Sequence, residues 1–189
     1  MRHRQLAVSG AYAFDPEVFR DERGDFASPY QETAFVAALG RALFPVAQVS
    51  RNVSRRGVVR GIHYTLTPPG TAKYVYCGGG RALDLVVDLR VGSPTFARWD
   101  AVELSADGGR AVYVPPGVGH AFVALEDRTV VNYLLSAEYR SATELRLSVF
   151  DEEIGLRLPD VPAILSEPDR AAPTLGEAAA DGLLPRYAP

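Results

Sequence analysis

Between Val46 and Leu135 the chain is a succession of short apolar segments, each closed by turn chemistry. That pattern excludes most folds. "VAQVSRNV" (46–53), "VVRGIHYTL" (58–66), "KYVYC" (73–77), "ALDLVVDLR" (82–90), "RWDAVEL" (98–104), "RAVYVP" (110–115), "HAFVAL" (120–125) and "TVVNYLL" (129–135) are rich in Val, Tyr, Leu and Ile. These residue types fit a pleated, half-buried surface. "TPPGT", "GGG", "VGSPT", "ADGG", "PPGVG" and "EDR" punctuate them. Many short strands at this spacing predict an antiparallel sandwich or barrel rather than alternating βαβ units. With 189 residues, 47% of them hydrophobic, the chain can bury a real core as one domain over 1–189.

The flanks are different in kind. "QETAFVAALGRAL" carries Phe35, Leu39 and Leu43 at four-residue spacing, which predicts a helix starting near Glu32 or Thr33. From about Pro159 the sequence is rich in Pro and Ala. It predicts a tail that wraps the surface, with a short helix at "LGEAAADGLL". No repeat and no second domain is visible. "GGG" after Cys77 reads as a hairpin turn, because the next segment reads as strand.

Alternation sorts residues onto faces. In "LDLVVDL", Leu83, Leu85, Val87 and Leu89 share one face, and Asp84, Val86 and Asp88 the other. One face is expected between sheets, the other at water or along a cavity. Lys73 shares a face with Val75 and Cys77, His120 with Phe122, and Tyr133 with Val131 and Leu135. A lysine, a histidine and a tyrosine on mainly apolar faces suggest a pocket with a few polar groups, as small-molecule sites are built.

The stretch "GVVRGIHY" puts Arg60 and His63 inside an apolar strand. A lone strand histidine is more often structural than catalytic. Arg60 strengthens the functional reading, since a buried guanidinium needs a phosphate or carboxylate. Strict alternation sends residues 60 and 63 to opposite faces. A bulge at Gly61 would bring both to one cavity.

Other function classes find no support. Net charge is −3, with nothing favouring nucleic-acid binding. One cysteine, Cys77, allows no intrachain disulfide, and its apolar strand predicts a buried, inert thiol. The three histidines, His3, His63 and His120, are far apart in sequence, and His3 falls in an irregular start. A metal site is therefore not expected. There is no G-x-S-x-G, no Walker A motif, and no G-x-G-x-x-G between a strand and a helix. No apolar run reaches the roughly 18 residues of a membrane span, and no signal-peptide core opens the chain. The expected location is the cytoplasm.

With "RGIHY", "AKYVYC", "LDLVVDLRVGSPTF", "AVYVPPGVGHAFVAL", "IGL" and "GLLPRY" in order, the chain resembles the dTDP-4-dehydrorhamnose 3,5-epimerase family. It is most similar to the actinomycete members that act on dTDP-4-keto-deoxysugars in antibiotic pathways. The resemblance covers roughly residues 5 to 187. It implies a homodimeric, double-stranded jelly-roll barrel, cupin-like but without metal, with a few short helices. It implies inversion at C5, at C3 or at both, beside the 4-keto group of a dTDP-linked 4-keto-6-deoxyhexose, with no cofactor.

The resemblance also implies roles. His63 would be the base, backed by Asp169 of "LSEPD". Tyr133 would be the acid on the opposite face of the sugar, with Lys73 beside the keto oxygen. Arg60 and His120 would contact substrate. Phe19, Arg23 and Phe26, in "FRDERGDF", fall on the family's nucleotide-contacting stretch. Gln48, Tyr139 and Glu144 fall on other binding positions. Ser28 stands where the family often has Glu, and Ser50 where it often has Asn. Two other classes compete. A 4-keto to 3-keto sugar isomerase on the same barrel would lack the tyrosine donor. A non-enzymatic sugar-nucleotide-binding module would need the arginines and aromatics but no His63–Asp169 pair.

Overall fold

The computed structural model describes residues 1–188. Thirteen strands and three short helices follow one another: β1 (Arg2–Gln5), β2 (Tyr12–Asp15), β3 (Val18–Asp21), β4 (Gly24–Ala27), α1 (Glu32–Leu39), β5 (Gln48–Ser54), β6 (Val59–Thr65), β7 (Lys73–Gly79), β8 (Arg81–Asp88), β9 (Trp99–Ser105), β10 (Ala111–Val114), β11 (Val118–Ala124), β12 (Thr129–Leu135), β13 (Glu144–Arg146), α2 (Glu167–Arg170) and α3 (Leu175–Ala180). Every predicted central strand is present. They form two facing antiparallel sheets, ordered β1-β2-β10-β7-β12-β5 and β13-β6-β11-β8-β9, with β3 and β4 as a separate hairpin. The facing sheets bear out the antiparallel sandwich or barrel predicted by the strand pattern, and their arrangement is the jelly roll that the resemblance implies.

Alternation explains where the core lies. Val75, Cys77, Val112, Val131 and Tyr133 from one sheet meet Ala82, Val86, Val102, Val118 and Phe122 from the other. The opposite faces are covered from outside. α1 lays Phe35 on Phe14, Tyr74 and Tyr113. The C-terminal segment lays Leu147, Val149, Ile154, Leu175 and Leu184 on Val59, Ile62, Leu85, Val87 and Leu89. Of the two faces of β8, the one carrying Asp84 and Val86 therefore looks between the sheets. The leucine-rich face lies under the tail, and β8 meets water chiefly at Arg81.

Three expectations need correction. The helix stops at Leu39, not Leu43, because Gly40 turns left-handed (φ 70°) and its N–H caps on Val36 O. Leu43 packs on the same aromatic cluster from the following loop. The glycine turn after Cys77 is tight, with Gly80 at φ 65°, but it is no hairpin. β7 belongs to one sheet and β8 to the other. The start is not irregular either: β1 pairs with β2 and sets His3 opposite Phe14.

Cys77 is buried, and its Sγ lies 3.1 Å from Gly79 O. Burial raises its pKa, so the thiol stays protonated and unreactive. Among the described residues no helix is long and apolar enough to cross a membrane.

Candidate active site

At one end of the barrel the two sheets part around a cavity of about 460 Å³. Gln48, Arg60, His63, Lys73, His120, Tyr133, Tyr139 and Glu144 all line it. His63, Arg60 and His120 come from the five-stranded sheet, and Tyr133, Lys73 and Gln48 from the six-stranded one. Histidine and tyrosine thus enter from opposite walls.

The convergence of Arg60 and His63 depends on Gly61. β6 pairs His63 with His120 of β11, yet Arg60 with Phe122. Three steps on one strand match two on the other, which is a β-bulge. Gly61 has φ 126°, and a Cβ there would sit 2.5 Å from Ala121 Cβ and 2.6 Å from His120 O. Only glycine fits this close approach. The bulge inserts one residue, so Arg60 and His63 face the same cavity.

His63 is held from behind. Its Nε2 lies 2.6 Å from Asp169 Oδ1, and its Nδ1 lies 3.8 Å from Glu144 Oε1. Asp169 is 5% exposed, on the short helix α2. Burial pushes its carboxyl up. The hydrogen bond and charge of His63, the Ser166 cap and Arg146 outweigh that and leave it below the usual carboxylate range. An ionised Asp169 accepts a hydrogen bond from the Nε2–H and leaves the lone pair on Nδ1, toward the cavity.

Lys73 is buried, and its one described side-chain hydrogen bond runs from Nζ to His63 O, 3.3 Å away. Burial lowers its pKa, and the carboxylates of Glu144 and Asp84 partly restore it. Tyr133 is also buried, and desolvation raises its pKa strongly, so it holds its proton. His120 stands edge-on to the Tyr133 ring, with centroids 5.9 Å apart, and its Nε2 meets Asp84 Oδ2 at 2.7 Å. Gln48 bridges Ser50 Oγ (2.7 Å) and the Tyr139 N–H (2.9 Å). A base, a proton-bearing phenol and a buried ammonium around one cavity can remove a proton, hold an oxyanion and return a proton.

Phe19, Arg23 and Phe26 do not line this cavity. They project on the β3–β4 hairpin, with Phe19 56% and Phe26 65% exposed, and among the described residues Arg23 pairs with Asp21 of the same hairpin alone. Sequence reasoning missed Asp84, Asn52, Arg51 and Arg140. Asp84 had a readable signal, a charge alternating with Val86 on the inner face. Asn52 follows Gln48 and Ser50 at two-residue spacing on one face of β5.

Known proteins resemble this chain in sequence and in fold. The family model described as dTDP-4-dehydrorhamnose 3,5-epimerase matches residues 5–177. A dTDP-4-dehydrorhamnose 3,5-epimerase of Streptomyces griseus is 46% identical over 97% of this chain and 92% of its own length. NovW, a 4-keto-6-deoxy sugar epimerase from the novobiocin cluster of Streptomyces spheroides, superposes with a TM-score of 0.95 at 44% identity, covering 99% of this chain and 94% of its own. ChmJ, a 3'-monoepimerase from Streptomyces bikiniensis solved in complex with dTDP-quinovose, gives a TM-score of 0.91 at 44% identity, covering 96% and 92%. Matched along nearly its whole length in sequence and in fold, the chain belongs to the dTDP-4-dehydrorhamnose 3,5-epimerase family.

Proposed function

We propose that the protein is a cofactor-independent epimerase of a dTDP-4-keto-6-deoxyhexose, inverting C3, C5 or both by proton abstraction next to the 4-keto group. The observation that carries this reading is the approach of His63 and Tyr133 to one cavity from opposite sheets. A carbon beside a ketone loses a proton only if the charge can move to oxygen. Nδ1 of His63 removes the proton, the Lys73 ammonium receives the oxyanion, and Tyr133 donates from the other side. Arg60, with Arg51 and Arg140 on the same cavity, suits the diphosphate. The depressed pKa of Asp169 and the raised pKa of Tyr133 support these roles.

The test is solvent exchange. In D₂O with a dTDP-4-keto-6-deoxyhexose, the wild type is expected to take up deuterium at the inverted carbon. Tyr133→Phe should keep that wash-in while inversion falls by about 10²-fold, the scale of one general acid. Both rates surviving in Tyr133→Phe would exclude it as the acid.

Lys73 yields a second expected result. Lys73→Met should lower kcat by about 10²–10³-fold, since one oxyanion donor is worth roughly 2.7–4 kcal/mol. Only the protonated lysine stabilises an oxyanion. Burial lowers its pKa, so the wild-type rate should fall as pH rises through a value below 10.5. An alkaline limb unchanged in Lys73→Met would assign that limb to another group.

We also propose a homodimer in which the β3–β4 hairpin of one copy reaches the other's cavity. The exposed Phe19 and Phe26 support this. So do Val49 and Val53, exposed on the open edge strand β5. Arg23→Ala should then raise KM more than it lowers kcat. Sedimentation at the mass of one 20.4 kDa chain would remove the proposal.

A further inference from the structure

Among the described residues Tyr133 makes one side-chain hydrogen bond, and in it the phenol accepts. Asn52 Nδ2 donates to the phenol oxygen at 3.2 Å. Tyr133 lies opposite Ser50, and Asn52 opposite Val131, so Asn52 is the diagonal neighbour across the β5–β12 ladder. Both residues line the cavity.

A phenol has one proton and accepts through its lone pairs. An amide N–H on one lone pair fixes the oxygen and turns the proton away from β5. On another side the His120 ring stands edge-on, with its Nε2 already engaged by Asp84. The remaining open direction is the cavity.

We propose that Asn52 is the positioning residue that makes Tyr133 an inverting acid, by aiming the phenol O–H into the cavity and then holding the phenolate it leaves. This rests on the reading of Tyr133 as the opposite-face donor. In the step, the Tyr133 O–H bond breaks as a C–H bond forms on the enolate carbon. The O–H electron pair stays on the phenolate oxygen, and the enolate electrons collapse to restore the ketone. The Asn52 N–H then meets a full negative charge, and such bonds are about twice as strong as neutral ones. Asn52 therefore favours the donated state over the resting one.

Wild type, Asn52→Asp and Asn52→Ala would be compared in D₂O with a dTDP-4-keto-6-deoxyhexose, reading deuterium wash-in and inversion separately by NMR. Aspartate is nearly isosteric but only accepts, so it draws the phenol proton back toward the strand. Asn52→Asp should keep wash-in within about threefold of wild type while inversion falls about 30-fold or more, as in Tyr133→Phe. Asn52→Ala removes the donor without adding charge, and inversion alone should fall about tenfold. Equal losses in both rates would mark a merely structural role and overturn the proposal, as would unchanged inversion. If Asn52→Asp fails to fold, judged by its thermal melt, the alanine variant decides by the same ratio. No wash-in by wild type would overturn the epimerase reading itself, a result distinct from any change confined to the Asn52 variants.

Discussion

His63→Asn is expected to lower turnover by about 10²–10⁴-fold, toward the upper end, the range for losing a general base. Wash-in of deuterium should fall with it, because no proton leaves carbon without the imidazole. Asparagine is the informative replacement. It fills similar space and can still donate to Asp169, so α2 keeps its contact with β6 while the basic nitrogen is gone. Affinity for dTDP should be unchanged, since His63 is assigned to the sugar and not the nucleotide. Wash-in above a tenth of the wild-type rate would remove His63 as the base.

Asp88→Ala is expected to cost about 3–5 kcal/mol of folding stability, the range for breaking a buried ion pair on one side. Asp88 is fully buried, and its carboxylate accepts from Arg90 Nε and Nη2 (2.8 Å each), Ser93 Oγ and Thr95 Oγ1 (2.5 Å each). Arg90 also donates to Ser9 O at 2.7 Å and stacks over Tyr187. The pair therefore ties both ends of the chain to the five-stranded sheet, and alanine would strand a buried guanidinium. Burial pushes the Asp88 carboxyl up, but Arg90, Ser93 and Thr95 together bring it below its ordinary value of 3.8. A lowered folded pKa means the stabilisation is complete above 3.8 and is lost as pH falls through the folded value. Urea midpoints should thus drop in the wild type below about pH 4, and Asp88→Ala should lack that part of the acid sensitivity. An unfolding free energy within about 0.5 kcal/mol of wild type would show the network to be dispensable.

The central strands were legible because each is short, rich in Val, Tyr, Leu and Ile, and closed by turn residues, and two-residue spacing put Lys73, His120 and Tyr133 on the cavity face. Gly61 was legible for a different reason: two polar residues on opposite faces around one glycine imply a bulge if both are to act together. β1 was not, because "RHRQ" is exposed throughout and carries no apolar period. The β7–β8 crossing was not, because a turn's residues set how sharply the chain reverses, not which sheet receives the next strand. The pairing of His63 with Asp169 spans 106 residues. No local pattern encodes that distance, and only the family resemblance suggested it. The β3–β4 hairpin shows the reverse limit: its residues matched a family motif, yet they stand apart from the cavity that His63 lines.

The last strand of the barrel is complete at Arg146, whereas Asp169 arrives on a helix of the tail laid over the outside of the sheet. A chain clipped behind the barrel would lose the carboxylate that fixes the tautomer of His63 and, with it, the apolar cover over Val59, Ile62, Leu85, Val87 and Leu89. Folding and catalytic competence thus share one segment: closing the back of the sheet also delivers Asp169 to His63.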